Sequence, residues 1–447
     1  MNLRHARIVA GKQRGRLVRG VIALTIAVCT GTAAAVLGTP AASAQIFDEA
    51  FYTPPASFAE TPGSVIRTAS MPILQAVPGV TGWPVPAQRV LYTSLTQDDE
   101  PVAVSGVYIE ANRPWSGAGE RPTVIIAPGT TGQGDQCAIS KAFPLGMYID
   151  PANPSLSANQ ELASAAVWNA LGARVFVTDY IGMGTPGVHT YVNRVEQAHA
   201  VLDAARAANT LSGTGPDTPL ALWGYSQGGG ATAAATELAP QYAPELNVRG
   251  TWAGGPTADL TAVIDEIDGA LIAGVIGMAV NGFIARYPDL RGELDSRLSP
   301  TGAALLDEAA VSCIADVIFK HPFVRTTDMT IDHRPIMQHL LEVPAAREIL
   351  AAQRIGNLRP PTPVLITSGI NDDTVPYGQA RQLAVDWCDQ GATVTFRSNT
   401  LPPILPGATI PNHFGPQIID GYGPDNAFQY LLDRFADKPL PEGCTIA

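Results

Sequence analysis

Leu220-Ala221-Leu222-Trp223-Gly224-Tyr225-Ser226-Gln227-Gly228-Gly229 is the stretch whose reading decides the fold. Four apolar residues of strand length run into Gly-x-Ser-x-Gly, and an Ala-rich stretch over 229–238 reads as a helix. A strand that turns sharply into a helix holds a serine Oγ out above the end of a sheet. Glycines on either side remove the Cβ atoms that would clash in so tight a turn. The N–H groups that open the following helix point at any negative charge forming beside the serine. The context therefore predicts a nucleophile elbow with Ser226 as nucleophile. Without that context the pentapeptide is a glycine-rich turn in a chain of 43 glycines.

Outward from the elbow, strand-like and helix-like runs alternate. Strands are expected over 90–96, 102–110, 123–127, 174–178, 220–223, 248–252, 364–368 and 393–397. Helices are expected over 160–171, 192–209, 229–238, 379–388 and 426–436. The first two strands flank the polar turn Gln97-Asp98-Asp99-Glu100 and read as an antiparallel pair. Such alternation argues for an α/β architecture, an open and mostly parallel central sheet flanked by helices on both faces. Over 257–360 the alternation stops, and helical periodicity covers 260–284, 301–318 and 334–352. Because the sheet resumes at 364, this stretch reads as a helical cap inserted over the strand C-termini, where open α/β sheets bind ligands. A separate all-helical domain is the alternative. The body then comprises 45–256 and 361–447, with a Pro-, Ala- and Ser-rich segment over 45–85 that wraps it in extended form.

The chain has 447 residues, 46% hydrophobic and 15% charged, which suits a globular protein with a large core. Residues 1–44 have the three-part layout of a secretory signal peptide. Arg4, Arg7, Lys12, Arg14, Arg16 and Arg19 come first without an acid, an apolar run follows, and Ala42-Ser43-Ala44 offers cleavage before Gln45. The apolar run is short and rich in Ala, Gly and Thr, so a stable membrane anchor is not expected. Secretion would change 28 basic against 40 acidic residues to 22 against 40, a net charge of −18. Nucleic acid and anionic membranes repel such a protein. Neither a basic patch nor zinc-type Cys/His spacing is visible, so no metal and no cofactor are expected. Of five cysteines, Cys29 leaves with the signal, and Cys137, Cys313, Cys388 and Cys444 remain. An even number in an exported chain argues for two disulfides, with three pairings open.

A serine at its free pKa is a poor nucleophile; it needs a base, and the base needs an acid to orient it. On a sheet of this kind the chain order is Ser, then Asp or Glu, then His. The histidines are His5, His189, His199, His321, His333, His339 and His413. His413 alone lies beyond the last strands, in a loop ahead of the terminal helix, and is the expected base. After strand 364–368 come Asp372 and Asp373. Asp372 fits Asp-x-x-Val-Pro and is the expected acid, leaving Asp373 as a turn or helix-cap residue. The developing oxyanion needs two donors: the N–H of Gln227, and one from the loop Pro128-Gly129-Thr130-Thr131-Gly132. Thr130 fits best, with Thr131 next, and the Thr130 hydroxyl offers a third donor.

Pro128-Gly129-Thr130-Thr131-Gly132 with Cys137, Asp179-Tyr180-Ile181-Gly182-Met183-Gly184-Thr185-Pro186-Gly187, the elbow and the Asp372 segment together resemble the secretory lipase family of the α/β-hydrolase superfamily. The resemblance runs from about residue 50 to the C-terminus. It implies an α/β-hydrolase fold, a helical lid that helps bind acyl chains, no metal, and hydrolysis of carboxylic esters including triacylglycerols. It also implies a bridge from Cys137 to Cys313, leaving Cys388 with Cys444. Where many relatives read His-Gly in the oxyanion loop, this chain has Pro128-Gly129. The expectation is an exported serine ester hydrolase of lipase type, working through an acyl-enzyme, with a lipid or ester substrate and transient contact with a lipid interface. Its rivals are a short-chain esterase, an acyltransferase, and a non-catalytic hydrolase-like binding protein. The apolar run 271–280 is either an acyl-binding surface or a buried core helix.

Overall fold

A computed structural model describes residues 48–150, 155–441 and 443–446. The signal peptide expected over 1–44, with Cys29, lies outside the described residues. The strands are β1 (Val65–Met71), β2 (Ala87–Leu95), β3 (Pro101–Ile109), β4 (Thr123–Ala127), β5 (Met147–Asp150), β6 (Ser155–Ala158), β7 (Arg174–Thr178), β8 (Leu220–Tyr225), β9 (Val248–Gly254), β10 (Val364–Gly369), β11 (Val394–Asn399) and β12 (Cys444–Ile446). Ten of them form one sheet in the order β1-β2-β3-β7-β4-β8-β9-β10-β11-β12, and β5 pairs with β6 separately. From β7 to β12 neighbours run parallel, while β1, β2, β3 and β7 pair antiparallel.

The alternation of side chains along a strand explains the layers. In β4, Ile125 points to one face while Val124 and Ile126 point to the other. In β8, Leu220 and Leu222 share the face of Ile125, and Ala221 and Trp223 the opposite face. The first face is covered by helices Arg194–Ser212, Gln227–Tyr242 and Tyr377–Asp389, whose small Ala-rich sides allow close approach. The second is covered by Leu162–Ala170 and Ala427–Phe435. A sheet covered on both faces has no wet side, which is why its central strands read as unbroken apolar runs.

Between β9 and β10 lie helices Leu260–Ile267, Val275–Arg286, Leu290–Asp295, Pro300–Ala309, Ile314–Lys320, Ile336–Glu342 and Pro344–Gln353. They bury a core of their own, including Ile276, Met278, Leu305 and Ile336. Each long helical run read from the sequence is broken in two. Gly269, at φ +80°, follows the first break, where Asp268 accepts hydrogen bonds from the Thr326 N–H and hydroxyl. Cys313 sits in a disulfide at the second break, and Pro344 begins a new helix at the third, where its ring cannot continue the old one.

The segment over 45–85 is not wholly extended wrapping. It supplies β1, whose mostly unburied side chains give little apolar signal, as suits an edge strand. Phe51 and Tyr52 just before it are buried, with the Tyr52 hydroxyl 2.9 Å from Ser140 Oγ. Cys137 is joined to Cys313 and Cys388 to Cys444. The second bridge ties β12, a strand too short to read from the sequence, to the helix before β11.

Candidate active site

Ser226 stands where β8 gives way to helix Gln227–Tyr242, at φ 61° and ψ −121°. A non-glycine residue in that region costs about 1–3 kcal/mol and persists only where its surroundings force it. Here its N–H donates to the Gly254 carbonyl at 2.8 Å and its carbonyl accepts from Gly230 N–H at 3.0 Å. A Cβ on Gly224 would lie 2.1 Å from the Gly228 carbonyl oxygen, and one on Gly228 would lie 2.0 Å from that of Ala127. Trp223 anchors the strand below, its ring 4.3 Å from Trp252 and 4.3 Å from Phe428, each pair contributing about 0.5–1.5 kcal/mol.

Asp372 follows β10. Its Oδ1 accepts from the Thr374 and Val375 N–H groups at 3.0 and 2.9 Å, which pins the carboxylate. Its oxygens lie 3.0 and 2.8 Å from His413 Nδ1, and both side chains are buried. A ring nitrogen facing a carboxylate must donate, so the neutral His413 ring carries its lone pair on Nε2. That atom is buried without a protein partner among the described residues. Tyr225, next to Ser226, donates its hydroxyl to the His413 carbonyl at 2.7 Å, tying the elbow to the histidine. No hydrogen bond joins Ser226 Oγ to His413 Nε2 among the described residues.

His413 is not in a loop, as the sequence suggests, but in the first turn of helix Ile410–Tyr422. Pro411 is tolerated there because the first helical N–H groups have no partner to lose. Asp373 serves neither as a simple turn residue nor as a cap. Its Oδ2 accepts from Gly407 N–H and Asn412 Nδ2, both at 2.8 Å, and so clips the segment that delivers His413.

Across the elbow, the loop after β4 presents Thr130. Among the described residues neither the Thr130 N–H nor the Gln227 N–H has a protein acceptor. The loop is held from several sides. Tyr180 donates its hydroxyl to the Pro128 carbonyl at 2.8 Å, and Tyr191 OH lies 2.8 Å from Thr130 Oγ1. The Thr131 carbonyl accepts from Ile314 N–H at 2.8 Å, and Gln133 N–H donates to the Ser312 carbonyl at 3.0 Å. The Cys137–Cys313 bridge closes the same corner, so the loop is strapped to the helical insertion. The Gln227 side chain lies 3.1 Å from His189 Nε2. Burial lowers the His189 imidazole to about 4 and keeps it neutral.

Glu161 lies behind this loop, accepting the Gly129 N–H at 3.3 Å. Its burial pushes the carboxyl from 4.5 up to about 7. Between those values the folded protein binds more protons than the unfolded chain. The stability Glu161 contributes is therefore complete below about pH 4.5 and is lost as pH rises through 7. Glu161→Gln, which has no charge to bury, should gain about 1–3 kcal/mol on wild type between pH 4.5 and pH 8. Urea midpoints of both proteins at the two pH values test this; a difference that does not change with pH overturns it.

Glu161, His189 and Tyr191 escape a sequence reading because they precede Ser226, whereas chain order directs the search beyond it. Only the Asp179-to-Gly187 stretch marks that region in the sequence, and Asp179 itself is buried in bonds to Ser105 and Ser140. The run 271–280 lies largely in the core of the insertion, with Ile272, Ile276 and Met278 buried. A cavity of about 60 Å³ within the insertion is lined by Ile264, Val280, Phe283, Leu294, Leu340 and Leu350 among others; only Ala279 and Val280 of that run reach it.

A mostly parallel sheet flanked by helices, with a strained serine at a strand-to-helix turn and an Asp–His pair on later segments, defines the α/β-hydrolase fold. The chain belongs to the secretory lipase family, whose model matches residues 155–443. Its sequence is similar to a probable inactive lipase of Mycobacterium tuberculosis, 28% identical over 88% of this chain and 83% of that one. It is also similar to a secreted triacylglycerol lipase of Malassezia restricta, 27% identical over 88% of this chain and 80% of the other. In structure it resembles Candida antarctica lipase A in its closed state, with TM-score 0.74, 22% identity and 90% of both chains covered.

Proposed function

We propose that this protein is a secreted serine ester hydrolase of lipase type, with Ser226, His413 and Asp372 as its triad. The observation that carries this reading is the unpartnered Nε2 of a buried, carboxylate-held histidine tied through Tyr225 to the elbow. His413 Nε2 takes the Ser226 proton as Oγ attacks the ester carbonyl. The Thr130 and Gln227 N–H groups receive the oxyanion, Asp372 stabilises the imidazolium, and the tetrahedral species expels the alcohol, which takes the proton back. Water, losing a proton to the same histidine, attacks the acyl-enzyme and releases the acid. No metal or cofactor enters this scheme.

Two disulfides suit an oxidising compartment, and export through the signal peptide over 1–44 accounts for them. Residues 257–360 form the cap in this reading. Ile370, Ile404, Leu405 and Ile410 are exposed on the segments that carry Asp372 and His413, an apolar rim suited to transient contact with a lipid surface. One relative is a probable inactive lipase, so the rival is a non-catalytic binding protein. The Asp372–His413 pair and its tie through Tyr225 to the elbow support the enzyme.

Hydrolysis of nitrophenyl esters of increasing acyl length by the mature protein tests the substrate class. Turnover is expected to persist through long chains. A rate that collapses beyond short acyl groups overturns the lipase reading and leaves a short-chain esterase, and ester formation on an added alcohol in water identifies an acyltransferase.

A further inference from the structure

The two expected oxyanion donors come from distant parts of the chain, yet one short segment touches the side chains of both residues that carry them. Tyr191 OH lies 2.8 Å from Thr130 Oγ1, and His189 Nε2 lies 3.1 Å from Gln227 Nε2. Resting on the function proposed above, we propose that residues 189–191 are a positioning clamp that sets Thr130 and Gln227 against each other and couples them to the helical insertion.

The proton positions follow from the partners. His189 Nδ1 faces the Ile181 carbonyl at 3.0 Å, which can only accept, so Nδ1 carries the proton. Nε2 therefore accepts from the Gln227 amide, which fixes that side chain at the first residue of the elbow helix. A phenol is a stronger donor than an aliphatic hydroxyl, so Tyr191 donates to Thr130 Oγ1, and the Thr130 proton is left free to point into the site. Burial raises the Tyr191 phenol to about 12, so it keeps its proton at neutral pH.

The segment is itself held rigidly and from the insertion side. Gln133 Nε2 donates to the His189 carbonyl at 2.9 Å and to the Met278 carbonyl at 2.8 Å, bridging the clamp to helix Val275–Arg286. Asn281 of that helix donates to Gln133 Oε1 at 3.1 Å. Gly282 allows the helix to lie against the clamp, since a Cβ there would be 2.9 Å from the Tyr191 nitrogen. Any shift of this helix is thereby passed to both donors at once.

The test is a double-mutant cycle of Tyr191→Phe with Thr130→Val, two near-isosteric changes, read as kcat and KM for a nitrophenyl ester and as melting temperature. Alone, Tyr191→Phe should lower kcat about tenfold or more with KM little changed, because the loss falls on the transition state. In the Thr130→Val background it should change kcat less than twofold, because its effect runs through that hydroxyl. Equal factors in both backgrounds, or no effect in wild type, overturn the clamp. His189→Asn with Gln227→Ala gives a second cycle with the same expected non-additivity. If wild type hydrolyses no ester and an alkyl phosphonate fails to label Ser226, the proposed function falls and the clamp with it. If wild type is active and the cycles are additive, only the clamp falls.

Discussion

Ser226→Ala is expected to lower kcat for a nitrophenyl ester by about 10⁶-fold while leaving the protein folded. The size follows from how a triad works: its members act as one unit, so loss of the nucleophile removes nearly the whole contribution and leaves only what the oxyanion donors and substrate binding supply. Folding should survive because the backbone bonds at this position, from Ser226 N–H to Gly254 and from Gly230 to the Ser226 carbonyl, do not involve the hydroxyl. Alanine meets the same positive-φ strain as serine, so melting temperature should change little. Undiminished turnover by the variant, measured with purified mature protein, rules out the mechanism.

Removing the Cys137–Cys313 bridge with paired alanines should cost both stability and rate, whereas removing Cys388–Cys444 should cost mainly stability. The first bridge spans 176 residues and the second 56. Chain-entropy reasoning gives about 5 kcal/mol for the first and about 4 for the second as upper figures, and about 2–5 is the usual measured cost. The rates separate the two because of location. Gly132 is paired with Cys313, and the flanking backbone bonds run from the Thr130 loop to Ser312 and Ile314. Loosening that corner frees the loop proposed to receive the oxyanion, and kcat should fall about tenfold or more. The second bridge lies at the sheet edge beside β11 and β12, far along the order from β4 and β8. Urea midpoints and kcat for both double variants decide the matter. Equal kcat losses for the two would show that the first bridge has no special hold on the site.

Much of the sheet is legible because a strand covered on both faces is apolar at nearly every position, as at Thr123–Ala127 and Leu220–Tyr225. β1 was not legible, because an edge strand hides few of its side chains. Periodicity does not show the breaks within the insertion, because it reports which face is buried, and that face continues across a Gly, a Pro or a disulfide while the hydrogen bonding stops. His413 reads as part of a Pro-rich loop, yet it lies in helix Ile410–Tyr422, which accommodates Pro411 and Pro416.

Local order and residue type are enough to nominate a candidate serine, acid and base, because strand ends, a glycine-flanked turn and chain order are properties of the line of residues. Only in three dimensions do the two carboxylates part, Asp372 meeting His413 and Asp373 clipping Gly407 and Asn412. Glu161, His189 and Tyr191 reach their partners across 32, 38 and 61 residues of chain. No periodicity or motif encodes such contacts. They exist because the segments after β4, β6 and β7 meet the start of the elbow helix once the sheet has formed, and burial then sets their protons: Glu161 moves up, His189 moves down, and Tyr191 stays protonated.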